Sequence, residues 1–290
     1  MGVRRAMKKV IDANYLQDDR LAHWLSSSSN NYAVLTDYSA MEAYKGDTLV
    51  SIFKSMEILS RYPDQVLVLK NTRTVCGLES DTKGLQCRLL DEAQTKGFRR
   101  YCSNLRKAKE GDVALREKLL YLGVKANEHM ACNLGYAEII REAIGQIRLT
   151  YSKEERSILR TRQPLTNAIG KKLLEHVVYV TATLLEKHPQ VQVIPTSRNF
   201  SNAFIFRYAL CSYLNTLDWI SDGGARGTKP ETIRNDMVDT NYAAFATYFD
   251  GLLSKDKKAI LIYQRAKYLL NNVFIQNESV HRIADKSDAL

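Results

Sequence analysis

Apolar positions in the first 77 residues switch between two spacings. Lys9-Val10-Ile11 is a short apolar run that predicts a strand ending at Asp12. Over residues 18–25, Leu21, Trp24 and Leu25 fall on one face of a predicted helix. The polar run 26–31 predicts a loop, and residues 32–35 a second strand. Leu49, Ile52, Phe53, Met56 and Leu59 then recur at helical spacing, predicting one amphipathic helix that Pro63 stops. Val66-Leu67-Val68-Leu69 is unbroken apolar sequence, as in a parallel strand covered on both faces. Strand, helix, strand, helix, strand predicts an α/β fold with a doubly wound parallel sheet flanked by helices.

From residue 78 to 234 the pattern becomes helical. Helices are expected over 104–122, 134–149, 166–187 and 199–217, with one short strand over 191–194. Asp222-Gly223-Gly224-Ala225-Arg226-Gly227 predicts a flexible connection; no Lys follows its last glycine as a phosphate-binding P-loop requires. The α/β pattern then returns, with a helix over 242–249, a strand over 251–254 and a helix over 257–270. The expected organisation is one α/β domain made of residues 1–77 and 235–290, interrupted by a large, mainly helical insertion over 78–234.

Charge sharpens that division. The chain carries 42 Lys and Arg against 32 Asp and Glu, a net +10. Residues 78–234 hold 25 of the basic and 17 of the acidic residues, so most of the excess lies in the expected insertion. Such an excess favours a polyanionic partner, because Lys and Arg displace the counterions of a phosphate backbone. Its clusters include Arg99-Arg100, Arg106-Lys107, Arg156 with Arg160 and Arg162, and Lys171-Lys172, with Tyr101 and Tyr151 nearby as rings on which bases could stack. The ordinary alternative is a solvated helix face over core tyrosines. No apolar run is long enough for a membrane span, and the first residues lack the apolar core of a secretory signal, so a cytoplasmic protein without a membrane partner is expected. The 5 cysteines are widely spaced with no CxxC pair, which predicts reduced, mostly buried thiols. No histidine pair has metal-ligand spacing.

The candidate chemistry lies in carboxylates at strand ends. Asp12 closes the first strand, and Glu42 follows the second by one helical turn, with Asp37 as a competitor. Asp236 and Asp239 precede an Ala-rich helix, and Asp256 closes the last strand. In parallel sheets the carboxyl ends of the strands share one edge, where ligands bind. Acids gathered there repel one another unless a divalent cation neutralises them, and hard oxygen donors suit Mg²⁺ or Mn²⁺ rather than zinc. Each acid also has an ordinary structural use. Ser39-x-x-Glu42 matches a capping box, Asp239 and Asp256 can be N-caps, and Asp12 can turn the chain after its strand.

Together, Asp12 with Asn14, the later Glu42, the Asp239-x-x-Tyr242-Ala243-Ala244-x-Ala246 helix start and Ser254-Lys255-Asp256 resemble the PIN domain, a family of metal-dependent nucleases. Tyr242 stands where that family has a small or aliphatic residue, and the insertion is not part of a minimal PIN domain. The resemblance implies a PIN-like sheet and phosphodiester hydrolysis. Asp12, Glu42 and Asp239, with Asp256 in support and Asp236 as an alternative third ligand, would hold one or two Mg²⁺ or Mn²⁺ ions. Asn14 and Ser254 would orient the carboxylates.

The expected activity is therefore an endoribonuclease cutting tRNA or another structured RNA, in the setting of a toxin or an antiviral host-defence effector. The basic residues Arg99, Arg100, Arg106, Lys107, Arg156, Arg160, Lys171 and Lys172 would grip the nucleic acid. By analogy with PIN toxins, an inhibitory or activating protein partner is expected, and a homo-oligomer is compatible with the sequence. Two alternatives stand beside this reading: a non-catalytic PIN-like scaffold binding RNA or protein, and a structure-specific DNA nuclease.

Overall fold

The computed structural model describes residues 5–161, 164 and 166–274. Strands β1 (Met7–Ile11), β2 (Asn31–Leu35), β3 (Val66–Val68) and β4 (Gly251–Leu253) form an all-parallel sheet in the order β3-β2-β1-β4. Helix α1 (Asp19–Ser26) joins β1 to β2. Helices α2 (Asp37–Glu42), α3 (Thr48–Ser55) and α4 (Glu57–Arg61) join β2 to β3. The long return to β4 runs through α5 (Thr72–Cys76), α6 (Leu85–Leu89), α7 (Glu92–Glu110), α8 (Val113–Cys132), α9 (Ala137–Leu149), α10 (Lys153–Arg160), α11 (Asn167–Lys187), α12 (Phe204–Ser221) and α13 (Pro230–Ala246). Helix α14 (Lys257–Leu269) follows β4.

Strand alternation divides the core in two. Ile11, Ala33 and Leu35 point to one face, where they pack with Leu21, Ile52 and Leu59 and with Phe98, Cys102 and Leu105 of α7. Val10, Val34 and Leu252 point to the other, among Phe206, Leu210, Tyr242, Ala243, Ile262 and Leu173. The result is three layers, helix on sheet on helix. Residues 78–234 contribute to both helical layers: α7 and α8 cover one face, and α11 and α12 build up the other. The boundary expected at residue 234 falls inside α13, which starts at Pro230 because proline suits the first helical turn.

Several predicted elements change for local reasons. The helix expected over 49–59 is two helices, because Met56 leaves helical geometry at φ −95°, ψ 0°. That expected over 104–122 is also two. Gly111 ends α7 at φ 117°, which disfavours residues with a Cβ, and the Asp112 side chain caps α8 by accepting from the Leu115 N–H. Residues 191–194 are irregular rather than a strand, with Val193 80% exposed and no neighbouring strand to pair with. The unbroken run at Val66–Leu69 forms an edge strand, and its apolar character follows from how that edge is sealed. Asp91 N–H donates to the Val68 carbonyl, Val68 N–H donates to Thr95 Oγ1, and Leu69 bridges to Leu90.

Helix α12 is buried around most of its circumference, against α10, α11, α13 and α14. Ala243, Ala244 and Ala246 are fully buried and let α13 approach β1 and β4 closely. Among the described residues no helix is long and apolar enough to cross a membrane. All five cysteines are free. Only Cys102 and Cys211 are buried, while Cys87 and Cys132 are exposed, so the expected mostly buried set is not found.

One close approach is set by a glycine. A Cβ on Gly77, at the end of α5, would sit 2.2 Å from the backbone carbonyl oxygen of Gln190. Gly77→Ala must push two backbone segments apart, at a cost of about 1–3 kcal/mol. The expected outcome is a lower urea midpoint with an unchanged m-value, whereas an unchanged midpoint would mean that the 190 loop yields freely.

Candidate active site

The sheet order places a topological switch point between β1 and β4, since the chain winds outward from β1 through β2 and β3 and later adds β4 on the other side of β1. Ile11 pairs with Leu253, and the Asp12 N–H donates to the Leu253 carbonyl at 3.0 Å. Asp12 and Ser254, the next residues on their strands, are thereby brought together at the carboxyl edge. Ser254 Oγ donates to Asp12 Oδ2, and Asn14 Nδ2 donates to the same oxygen at 2.6 Å. Asn14 Oδ1 in turn accepts from the Lys255 N–H at 2.8 Å, and Ser254 Oγ accepts from the Asp256 N–H at 2.8 Å. Asn14 and Ser254 thus fix the direction of the Asp12 carboxylate. Asp12 also caps the short turn that follows β1, so its structural and candidate chemical uses coexist.

Glu42 ends α2, after β2. The capping-box reading is corrected: Thr36 caps α2, and Ser39 Oγ instead donates to the Ile11 carbonyl at 2.7 Å, which ties α2 to the end of β1. Glu42 Oε2 accepts from the Tyr242 hydroxyl at 2.8 Å. Asp37 is occupied elsewhere. It accepts from the Thr72 N–H and hydroxyl at 2.7 and 2.9 Å and ties the start of α2 to α5.

Asp236 and Asp239 lie within α13 at i, i+3 spacing on one face, so the N-cap reading of Asp239 is also corrected. Asp236 is held by Lys258 Nζ at 2.6 Å. Asp256 is an N-cap as expected, accepting from the Lys258 and Ala259 N–H groups at the start of α14.

The charges of these acids act together on Asp239. Burial, reinforced by the charges of Asp256, Asp12, Asp236 and Glu42, pushes its carboxyl up to about 8. Burial also raises Asp12 above the ordinary carboxylate range, against the lowering effect of the Ser254 and Asn14 hydrogen bonds. Glu42 is raised by burial and by Asp12, opposed by Tyr242, Lys45 and Arg234. The site is therefore a set of hard oxygen donors whose charges are incompletely neutralised by the protein. Among the described residues, however, no group of three or more His, Cys, Asp and Glu side chains is arranged to hold a metal ion.

Sequence reasoning missed the side chains that answer the acids: Tyr242 on Glu42 and Lys258 on Asp236. Tyr242 carried a signal, as a large polar-tipped residue where the PIN pattern has a small one. Lys258 carried none beyond its place two residues after Asp256.

The predicted basic residues do not form a single tract. Arg99, Arg100, Arg106 and Lys107 lie exposed on α7, in one helical layer. Arg156, Arg160, Lys171 and Lys172 lie on α10 and α11, in the other. Arg99 pairs with Asp64, Lys171 with Glu175 at 3.7 Å, and Lys172 with Glu155 at 2.7 Å. Tyr151 is buried and shares a 2.6 Å hydrogen bond with Tyr213, and Tyr101 packs on Phe98 with its hydroxyl against Tyr44. Neither ring serves as an open stacking platform. Arg162 lies outside the described residues.

No model of a known protein family matches the chain, and no curated protein or solved structure matches it.

The Asp239 carboxyl keeps its proton to about pH 8 in the fold, against an ordinary value of 3.8. Between those pH values the native state binds more protons than the unfolded chain, so its stability falls as pH rises. Asp239→Asn removes that slope. In thermal melts without divalent metal, the variant should gain at least about 2 °C over the parent near pH 8 and nothing near pH 4. An equal shift at both pH values would show that Asp239 is not the strained charge.

Proposed function

We propose that the chain is a divalent-metal-dependent endonuclease, acting on RNA in preference to DNA. The observation that supports this reading is that Asp12, Glu42, Asp236 and Asp256 all act electrostatically on the buried Asp239, with Asp12 and Ser254 joined at the sheet's switch point. The donor chemistry fits Mg²⁺ or Mn²⁺, and Asp12, Glu42 and Asp239, with Asp256 in support, are the residues that would hold such an ion. When bound, it would supply Lewis acidity toward a phosphate oxygen and an attacking water.

The remaining roles fall to the chain itself. Ser254 and Asn14 fix the direction of Asp12, and the Tyr242 hydroxyl fixes Glu42. Asp239 holds a proton at neutral pH in the absence of a cation and releases it when positive charge enters the site. A toxin or host-defence setting, with a protein partner restraining the activity, belongs to this proposal through the PIN resemblance alone.

A second reading, a non-catalytic PIN-like scaffold, is favoured by one observation: no metal-holding group of three side chains is arranged among the described residues.

Incubation of the purified chain with mixed tRNA, structured RNA and single-stranded DNA, in Mn²⁺, Mg²⁺ or EDTA, separates these readings. Metal-dependent cutting should vanish in Asp12→Asn with the fold intact by circular dichroism, and fall about 10–100-fold in Ser254→Ala. Competition between the substrates ranks RNA against DNA. Full activity of Asp12→Asn would overturn the proposal. The absence of both cutting and a Mn²⁺-induced rise in Tm would favour the scaffold.

A further inference from the structure

An exposed cation is held in a fixed plane just beyond the end of β1. Asp18, the N-cap of α1, takes the Arg20 guanidinium at two points: Arg20 Nε and Nη2 donate to separate carboxylate oxygens, each at 2.9 Å. Such a fork fixes the plane of the guanidinium. Its carbon also lies over the ring of the buried Tyr15, 5.2 Å from the ring centre, so one face of the cation is covered. The carboxylate that holds it is itself tethered. Asp18 Oδ1 also accepts from the Arg20 N–H at 3.0 Å, and Lys255 Nζ lies 3.3 Å from Oδ2. The Arg20 side chain nevertheless remains 68% exposed, which leaves the face turned away from Tyr15 open to solvent. An ion pair this exposed adds little to stability. Capping α1 accounts for Asp18 but not for the seating of Arg20 on a ring.

This cation belongs to the edge of the sheet where the acids lie. The Tyr15 N–H donates to the Asp12 carbonyl at 2.9 Å, and the Asp18 N–H to the Tyr15 carbonyl at 3.0 Å. Lys255 stands between Ser254 and Asp256, with its own N–H on Asn14. Asp18 therefore links the segments that follow β1 and β4, the two strands of the switch point. We propose that the open face of Arg20 is a stacking platform for one unpaired base of a single-stranded nucleic acid whose backbone reaches the acids. A guanidinium plane takes a base on its face, and every base has a π-face to offer, so the contact is tolerant of sequence. The Nε–Nη2 edge is already filled by Asp18, and the flat face is what the fold leaves both fixed and open. An ammonium in the same place would offer charge without a plane. The inference rests on the nuclease reading for the presence of a nucleic acid, but stacking requires neither metal nor cleavage.

The test titrates the full chain, in EDTA, into a fluorescently labelled single-stranded oligouridylate and into an abasic strand of equal length and charge, with anisotropy as the readout. The intact strand should bind at least about fivefold tighter, since only it can stack. Arg20→Lys keeps the charge and should abolish that preference, leaving the Tm and the affinity for the abasic strand unchanged. Arg20→Ala should abolish the preference and weaken both strands. Binding of neither strand, equal affinity of the parent for both, or a preference that survives in Arg20→Lys would overturn the platform. An Arg20-dependent preference in a chain that cuts no nucleic acid in any metal would sink the nuclease reading and leave the platform standing. Metal-dependent cutting without the preference would do the reverse.

Discussion

Ile11 and Leu253 are separated by most of the chain, yet their pairing is the constraint on which the site depends. Side chains alternate along a strand, so a slip of one residue would turn Val10 and Leu252 into the wrong helical layer and carry Asp12 away from Ser254. The register is held from both sides. The Asp12 N–H is fixed on the Leu253 carbonyl, the Ser39 hydroxyl clamps the Ile11 carbonyl, and Asn14 reaches across to the Lys255 backbone. Hydrophobic burial on the two faces of β1 thus sets the position of a polar network at its end.

That network supports an arrangement that opposes folding. Carboxylates taken out of water near one another raise the free energy of the charged state. Lys258 answers Asp236, Tyr242 answers Glu42, and Ser254 and Asn14 answer Asp12. Asp239 has no such answer among the hydrogen bonds and ion pairs of the described residues, and it carries the largest carboxyl shift in the group. Strain concentrated on one side chain, with its neighbours individually tethered, makes this cluster a candidate functional site. In the proposed nuclease, the stability withheld at Asp239 would be recovered on cation binding, coupling binding to folding.

How much of this was legible beforehand varied with the range of the interaction. The strands, α1 and α14 follow from local spacing, and the parallel arrangement from their alternation. That Asp12 and Asp256 lie near one another was legible because they follow strands that share an edge of the sheet. What was not legible depended on partners distant in sequence. Glu42 looked like half of a capping box until Ser39 was seen bonded to Ile11, a contact that no local pattern encodes. Asp239 looked like a cap because the apolar run after it is the obvious helix. The preceding turns of α13 are polar and begin at Pro230.

Charge distribution adds a final constraint on the proposed activity. The basic excess of residues 78–234 is divided between opposite layers, and several of its members are already paired, so it cannot act as one groove along a single strand of nucleic acid. It acts instead as a diffuse positive field that raises the encounter rate with any polyanion and weakens with salt. Selectivity must then come from short-range groups near the acids, where Lys45 and Arg234 offset Glu42 and Lys258 bridges Asp236 and Trp219. Such a division separates capture from choice. In the proposed nuclease, a substrate collected without regard to sequence would be sorted only where its backbone meets the carboxylates.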